Sequence, residues 1–251
     1  MELEMTAPPY RVVVTTSDKY LPALRPLAWL MEKYWKPMPE VVVCGFTPPD
    51  FDLPEKFKFV SVGKQEDYPW DKWSDAVIHL LHHHVPDEVF VLILEDMWPM
   101  RMVNTRALEM LYHYMIQFEY VARIDLTTDR LYAHGMVDYA ALSWIDLIKS
   151  MPGSPYHCSL SPAMWRREHL LSTLIPGENA HQVELQGTTR LSHNQDVIVL
   201  GSRQYPYRNC LALRGGSSAK LEDDQALAFK KMVNDADLKA LTELGYLEPW
   251  E

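Results

Sequence analysis

An α/β fold with a mostly parallel central sheet, helices on both faces and an irregular C-terminal half is predicted by three observations in the 251-residue sequence. Short β-branched, almost wholly apolar runs alternate with amphipathic helical stretches at the spacing of βαβ crossovers. Apolar residues make up 47% and charged residues 23%, the values of an ordinary globular chain rather than a disordered one. After Asp138 the alternation breaks down. One domain over 1–251, with halves 1–130 and 131–251, is the simplest organisation.

The elements follow in order. Arg11–Thr16 is a β-branched run bounded by Pro8-Pro9 and Ser17-Asp18, and reads as a buried strand. Leu21–Trp35 places Leu24, Leu27, Ala28, Leu30, Met31 and Trp35 at helical spacing, and Pro37 and Pro39 stop it. Glu40–Gly45 is a second strand, closed by Thr47-Pro-Pro-Asp50, and Phe57–Val62 a third. Lys72–Val85 reads as a helix, Glu88–Leu94 as a fourth strand, Thr105–Phe118 as a helix and Tyr120–Leu126 as a strand. Helices are then expected over Asp138–Ser150 and Pro162–Leu174, separated by a Pro/Gly/Ser break at Met151–Pro155. A short strand at Asp196–Leu200 and one or two polar helices over Glu222–Leu244 complete the chain.

Composition excludes several classes. No apolar run reaches the ~18 residues of a membrane span; Val89–Leu94 stops at Glu95-Asp96. Met1–Pro9 has two acids and no basic residue, so it does not read as a secretory leader. Cys44, Cys158 and Cys210 are too few and too scattered for a disulfide framework and fit a reducing compartment. A cytoplasmic protein without a transmembrane segment is the expectation. The net charge of −10 disfavours indiscriminate nucleic-acid binding.

In open parallel sheets, ligands bind where the carboxyl ends of the strands meet their loops. That rule selects Thr15-Thr16-Ser17-Asp18, Thr47–Asp52, Gly63–Trp73 and Glu95-Asp96-Met97-Trp98. The last is the most informative, because two carboxylates at the exit of a greasy central strand are costly unless solvated, paired or metal-bound. A divalent Mg²⁺ or Mn²⁺ takes one or two carboxylates plus substrate phosphate oxygens; the plainer alternative is that the acids cap a turn. Tyr68, Trp70 and Trp73 offer faces for a nucleobase whose edge Asp67 would bond, with core packing as the alternative for Trp73.

Other motifs are missing. There is no Gly-x-Gly-x-x-Gly, no P-loop, no Gly-x-Ser-x-Gly and no Cys-x-x-Cys. His79 and His83 stand four apart, but His82, His83 and His84 end their helix just before Pro86. There imidazoles suit the negative end of the macrodipole, and the structural reading is preferred over a metal site.

Several segments together resemble a known family. They are Trp73-Ser-Asp75, Leu92-Ile-Leu-Glu-Asp96, Tyr120-Val-Ala-Arg-Ile124, Tyr156-His-Cys-Ser-Leu160, Ala163-Met-Trp-Arg-Arg-Glu-His-Leu-Leu171 and Pro176-Gly-Glu-Asn-Ala-His-Gln-Val-Glu184. The series, spanning roughly Trp73–Thr188, resembles GT-A-fold glycosyltransferases of bacterial and phage capsule and surface-polysaccharide synthesis. The resemblance implies that 1–130 is the nucleotide-sugar half and 131–251 the acceptor-side half. It implies a hexosyltransferase-type enzyme moving a sugar from a nucleotide-diphosphate donor, with UDP the expected carrier, to a hydroxyl acceptor. Thr15, Thr16, Ser17, Asp67, Tyr68, Trp73, Glu95 and Asp96 would then bind the donor. Asp96, as counterpart of an Asp-x-Asp acid, would hold Mn²⁺ or Mg²⁺, with His193 as a further ligand. Trp165, Glu178, Asn179 and His181 would border the acceptor, and Glu184 stands at the general-base position of an inverting enzyme. Ser161 replaces an amide common in the family and His181 an aromatic, changes that bear on which sugar or acceptor fits.

Between Ser161 and Lys220, seven basic residues (Arg166, Arg167, Arg190, Arg203, Arg208, Arg214 and Lys220) face four acids, a local +3. They would neutralise the donor diphosphate or hold an anionic acceptor, either a lipid-linked phosphosugar or phage DNA with a hydroxymethylated base. A saccharide is the other expected acceptor. Rival readings are a nucleotidyltransferase, which would want a glycine-rich basic loop that Thr15–Tyr20 lacks, and a non-catalytic sugar- or nucleotide-binding protein of the same fold.

Overall fold

A computed structural model describes residues 7–132, 135–212 and 233–247. Its strands are β1 (Val12–Thr15), β2 (Val41–Gly45), β3 (Phe57–Ser61), β4 (Val89–Leu94), β5 (Met97–Pro99), β6 (Val121–Asp125), β7 (Met136–Leu142), β8 (Ile145–Ser150), β9 (Ala163–Arg166), β10 (Ile198–Ser202) and β11 (Asn209–Leu211). Its helices are α1 (Leu24–Tyr34), α2 (Trp73–His83), α3 (Thr105–Gln117), α4 (Asp129–Tyr132), α5 (Arg167–Thr173), α6 (Ala180–His193) and α7 (Asp235–Glu243). Among these residues no helix is long and apolar enough to cross a membrane.

Nine strands form one sheet in the order β3-β2-β1-β4-β9-β6-β10-β8-β7, and β11 pairs with β5 in a separate ribbon. β1 to β4, β6, β7 and β10 run one way, while β8 and β9 run the other. The sheet is therefore mixed, parallel from β3 to β4 and antiparallel where β9 intervenes between β4 and β6. Strands with both faces covered need apolar residues at every position. In β1, Val12 and Val14 join one core with α1 and α3, while Val13 joins the opposite core with α2, α5 and α6. α7 belongs to the first layer. Its cap residue Asn234 accepts from Asp237 N–H, and the buried Asp237 carboxylate receives Lys33 and Tyr34 from α1.

Three expectations are corrected. Asp138–Ser150 is not a helix but the β7–β8 hairpin, closed by Leu142 opposite Ile145. Its turn holds Ser143 at φ 57°, without the Asn-Gly or Asp-Gly that makes such turns visible in a sequence. Pro162–Leu174 is not one helix: Ala163–Arg166 pair on both sides as β9, and the helix starts only at Arg167. Pairing on both edges overrides the helical spacing of Trp165 and Leu170. Of Glu222–Leu244, α7 covers Asp235–Glu243, while 213–232, with Arg214 and Lys220, lie outside the described residues.

α6 packs closely against α5 and the segment before β9 because Gly187 faces Cys158 and Thr173. A methyl group there would lie 2.9 Å from Cys158 Sγ and 3.0 Å from Thr173 Cγ2. Alanine is intrinsically better in a helix by ~1 kcal/mol, but overpacking a tight contact costs about 1–3 kcal/mol. Gly187→Ala is therefore expected to destabilise the fold by up to about 2 kcal/mol in urea unfolding, with no change of helix content.

Candidate functional site

The order β3-β2-β1-β4 means that the chain winds outward from β1 and then crosses back to β1's other side. Such a reversal opens a crevice at the strands' carboxyl ends. Thr15 lies beside Leu94 in the β1–β4 register. Thr15-Thr16-Ser17 and Glu95-Asp96 thus leave the sheet next to each other.

Glu95 and Asp96 make the tight turn between β4 and β5. Their backbone carbonyls are fixed, Glu95 O by Trp98 Nε1 at 2.9 Å and Asp96 O by Ala212 N–H at 2.7 Å. Each carboxylate gains only a backbone hydrogen bond at its own residue, which offsets part of the cost of burial. Among the described residues Asp96 Oδ1 and the Thr15 hydroxyl are both buried without a hydrogen-bond partner. Burial pushes Asp96 up to about 7 and raises Glu95 well above the usual carboxylate range, with the Asp96 charge adding to the shift. Both acids also raise the Tyr20 phenol, which places that ring close to them. A pair of half-buried acids with an orphaned oxygen suits a divalent cation.

The loops after β1, β2 and β3 form one rim. The Asp18 carboxylate accepts from Thr47 N–H and Oγ1, both at 2.9 Å, and Asp18 N–H donates to Gln65 Oε1 at 3.1 Å. Gln65 Nε2 in turn donates to Tyr68 O at 2.7 Å. Tyr68 packs on Phe46 and reaches His79, Trp73 packs on the second core, Asp67 is exposed, and Trp70 stands 78% exposed. His79 is 4.7 Å from His83, ring to ring, at the end of α2.

Glu184 lies at the same edge of the sheet. Its Oε1 accepts from Leu160 N–H at 2.8 Å. Ala163 in β9 faces Leu92 on one side and Asp125 on the other, so Leu160 projects past the carboxyl ends of β4 and β6. Burial raises the Glu184 pKa, while the Leu160 N–H and the Arg123 charge pull it back. His181 is exposed one turn earlier on α6 and acts in the same direction as Arg123.

The other expected acceptor residues serve the fold itself. Glu178 is gripped by Arg190 in two bonds of 2.9 and 2.6 Å. Asn179 caps α6 in a reciprocal box with Gln182. Trp165 has no exposed surface, and Arg123 lies over its ring at 5.5 Å. Ser74 and Asp75 bond the Ile175–Glu178 segment through Ser74 Oγ to Ile175 O (2.7 Å), Glu178 N–H to Ser74 Oγ (3.0 Å) and Gly177 N–H to Asp75 (2.6 Å). His193 is exposed at the far end of α6, nine residues and roughly 13 Å beyond Glu184. Among the described residues no three His, Cys, Asp or Glu side chains form a metal-sized cluster.

Sequence reasoning missed a buried polar hub under Glu184. Arg123 and Asp125 are wholly buried and paired at 2.9 Å. Asp125 Oδ1 also accepts from Thr127 N–H and Oγ1 at 2.8 Å, and Arg130 Nε lies 3.7 Å from Oδ2. Arg123 Nη2 reaches Ser161 O, the neighbour of Leu160. His157, bonded to Ser150 Oγ at 2.8 Å, is lowered to about 4 by burial and then by Arg123, Arg130 and Lys149. The signal was available: Arg and Asp two apart inside a central strand must both be buried on one face.

No family model matches the chain, and no curated protein matches it.

The raised pKa of Asp96 fixes a sign. Between the unfolded value, 3.8, and about 7 the native state binds more protons, so this group's contribution to stability is lost as pH rises through that window. Asp96→Asn is expected to stabilise the metal-free protein at pH 8 by on the order of 2 kcal/mol. It should also flatten the pH dependence of the melting temperature between pH 5 and 8 and remove any stabilisation by Mn²⁺.

Proposed function

We propose that the chain is a glycosyltransferase that moves a sugar from a nucleotide-diphosphate donor, with UDP the expected carrier, to an acceptor hydroxyl, with inversion at the anomeric carbon. The observation that carries the reading is the side-by-side exit of β1 and β4 from the sheet. There Glu95 and Asp96 are half-buried with raised pKa values and an unpartnered Asp96 oxygen, while Glu184 stands at the same sheet edge.

The Thr15–Ser17 turn and the rim of Asp18, Thr47, Gln65 and Tyr68 would border the nucleoside, and exposed Trp70 would offer a face for the base. Asp96 with Glu95 would hold Mn²⁺ or Mg²⁺, which when bound neutralises charge on the departing diphosphate. Glu184 takes the proton from the attacking hydroxyl as its oxygen bonds to the anomeric carbon and the bond to the diphosphate breaks. A carboxylate raised by burial is a stronger base than a solvated one, and the Leu160 N–H and the Arg123 charge temper that rise.

Calorimetry with UDP in the presence of Mn²⁺ or Mg²⁺ tests the donor site; absence of nucleoside diphosphate binding sinks the reading. Glu184→Gln is expected to lower transfer by about 10²–10⁴-fold while leaving UDP affinity within about twofold. Release of pyrophosphate instead of UDP would identify a nucleotidyltransferase.

A further inference from the structure

The seven basic residues of the second half do not form one patch. Arg166 is buried and bonded to Glu88 and Met115 O, and Arg167 donates to Leu81 O at 2.9 Å. Arg190 holds Glu178, and Arg203 bonds Asp138. Of the seven, Arg208 alone among the described residues has its guanidinium free of carboxylate or backbone partners. A cation from the first half joins it. Arg101 lies over the Tyr205 ring at 5.2 Å and Arg208 over the same ring at 5.8 Å. Among the described residues neither guanidinium meets a carboxylate within 4.0 Å. Two arginines sharing one aromatic ring repel each other unless an anion sits between them. Tyr205 is held at φ 23°, a strain of about 1–3 kcal/mol for a non-glycine residue that persists only where the surroundings impose it.

The pair's place in the fold says which part of a substrate it meets. Met100 N–H donates to Arg208 O at 2.8 Å, and Pro99 pairs with Asn209, so both arginines sit at one end of the β5–β11 ribbon. Asp96 is at the other end, four residues and roughly 13 Å away. Arg208 Nη1 lies 3.5 Å from Thr128 Oγ1, three residues past the end of β6, and β6 is tied to the Leu160–Ser161 segment that holds Glu184. The pair thus flanks the side of the crevice where Glu184 stands.

Resting on the glycosyltransferase reading, we infer that Arg101 and Arg208, on the Tyr205 ring, bind a phosphate ester carried by the acceptor, so that the enzyme glycosylates a phosphorylated substrate. Two cations in a chain of net charge −10 suit one phosphate rather than a long polyanionic tract.

The test is calorimetric titration of the protein, presaturated with UDP and Mn²⁺, with α-glucose 1-phosphate, with glucose and with an eight-residue oligothymidylate. Glucose 1-phosphate is expected to bind at least tenfold more tightly than glucose. Arg101→Ala and Arg208→Ala, both outside the cores, are each expected to weaken it about tenfold, and the double variant about a hundredfold, with an unchanged melting temperature. Equal binding of glucose and its phosphate, or full phosphate affinity in the double variant, overturns the proposal. So does displacement of the sugar phosphate by UDP, which would give the pair to the donor. Oligothymidylate binding that is at least tenfold tighter and lost in the double variant supports the phosphate site and assigns its source to nucleic acid. If UDP fails to bind while arginine-dependent binding of the sugar phosphate persists, the phosphate site stands and the donor reading falls.

Discussion

The burial of two adjacent carboxylates at the exit of β4 governs the architecture around them. β4 is flanked by β1 and β9 and covered on both faces, so its residues from Val89 to Ile93 are nearly inaccessible. A chain leaving such a strand must return at once to polar surroundings, or hold its charges at a cost. Here the turn is pinned from outside the sheet: Trp98 Nε1 and Ala212 N–H satisfy the carbonyls of Glu95 and Asp96. Fixing the backbone while burying the carboxylates keeps the pair at elevated pKa, and in the proposed reading it pre-organises them for a cation.

A second buried charge system stands across β9. Removing Arg123 and Asp125 from water is costly, and their mutual attraction offsets this only with further hydrogen bonds. Thr127 supplies two, yet Arg123 Nε and Nη1 remain without partners. The hub nevertheless ties the β6 exit to the segment before β9, through Ser161 O and Pro155 O. His157 beside the hub and Asp96 at the β4 exit respond to pH in opposite senses. His157, lowered, favours the fold as pH rises through the range from about 4 to 6.5, whereas Asp96, raised, disfavours it from 3.8 to about 7. The two partly cancel in the stability of the whole chain, so single substitutions expose what the wild-type profile conceals.

What was legible in the sequence was the part governed by local pattern. Val12–Thr15, Val41–Gly45 and Val89–Leu94 are strands buried on both faces, and continuous apolar runs announce them. The carboxyl-edge rule then located the Thr15 and Glu95-Asp96 turns, which the β1–β4 register does bring together. β9 was illegible because Ala163–Arg166 has helical spacing and becomes a strand only through partners some 40 and 75 residues away in sequence, near Arg123 and Phe90. The β7–β8 hairpin was hidden by a Ser-Trp turn that carries no glycine. Side-chain roles were the least legible. Glu178 and Asn179 look like site residues, yet Arg190 and the helix cap consume their bonding capacity. The contact of Ser74 and Asp75 with Gly177 and Glu178 explains why those two distant segments make sense only as a set.

Competition among the acids of this edge is what singles out a base. Asp125 is occupied by Arg123 and Thr127, Asp129 by Arg130, and Glu178 by Arg190. Asp18 is taken by Thr47 and Asp75 by Gly177 N–H. Each of these carboxylates bonds a neighbour that belongs to the fold. Glu184 combines a free oxygen with burial. One oxygen takes a single N–H from Leu160, the other has no hydrogen bond among the described residues, and burial raises its proton affinity rather than lowering it. Glu95 and Asp96 differ from it in being adjacent, so that the charge of Asp96 raises Glu95 further, and in the proposed reading a shared cation would relieve that repulsion. In the proposed reading, the division of labour between the two sides of β9 follows from which carboxylates the fold leaves unsatisfied.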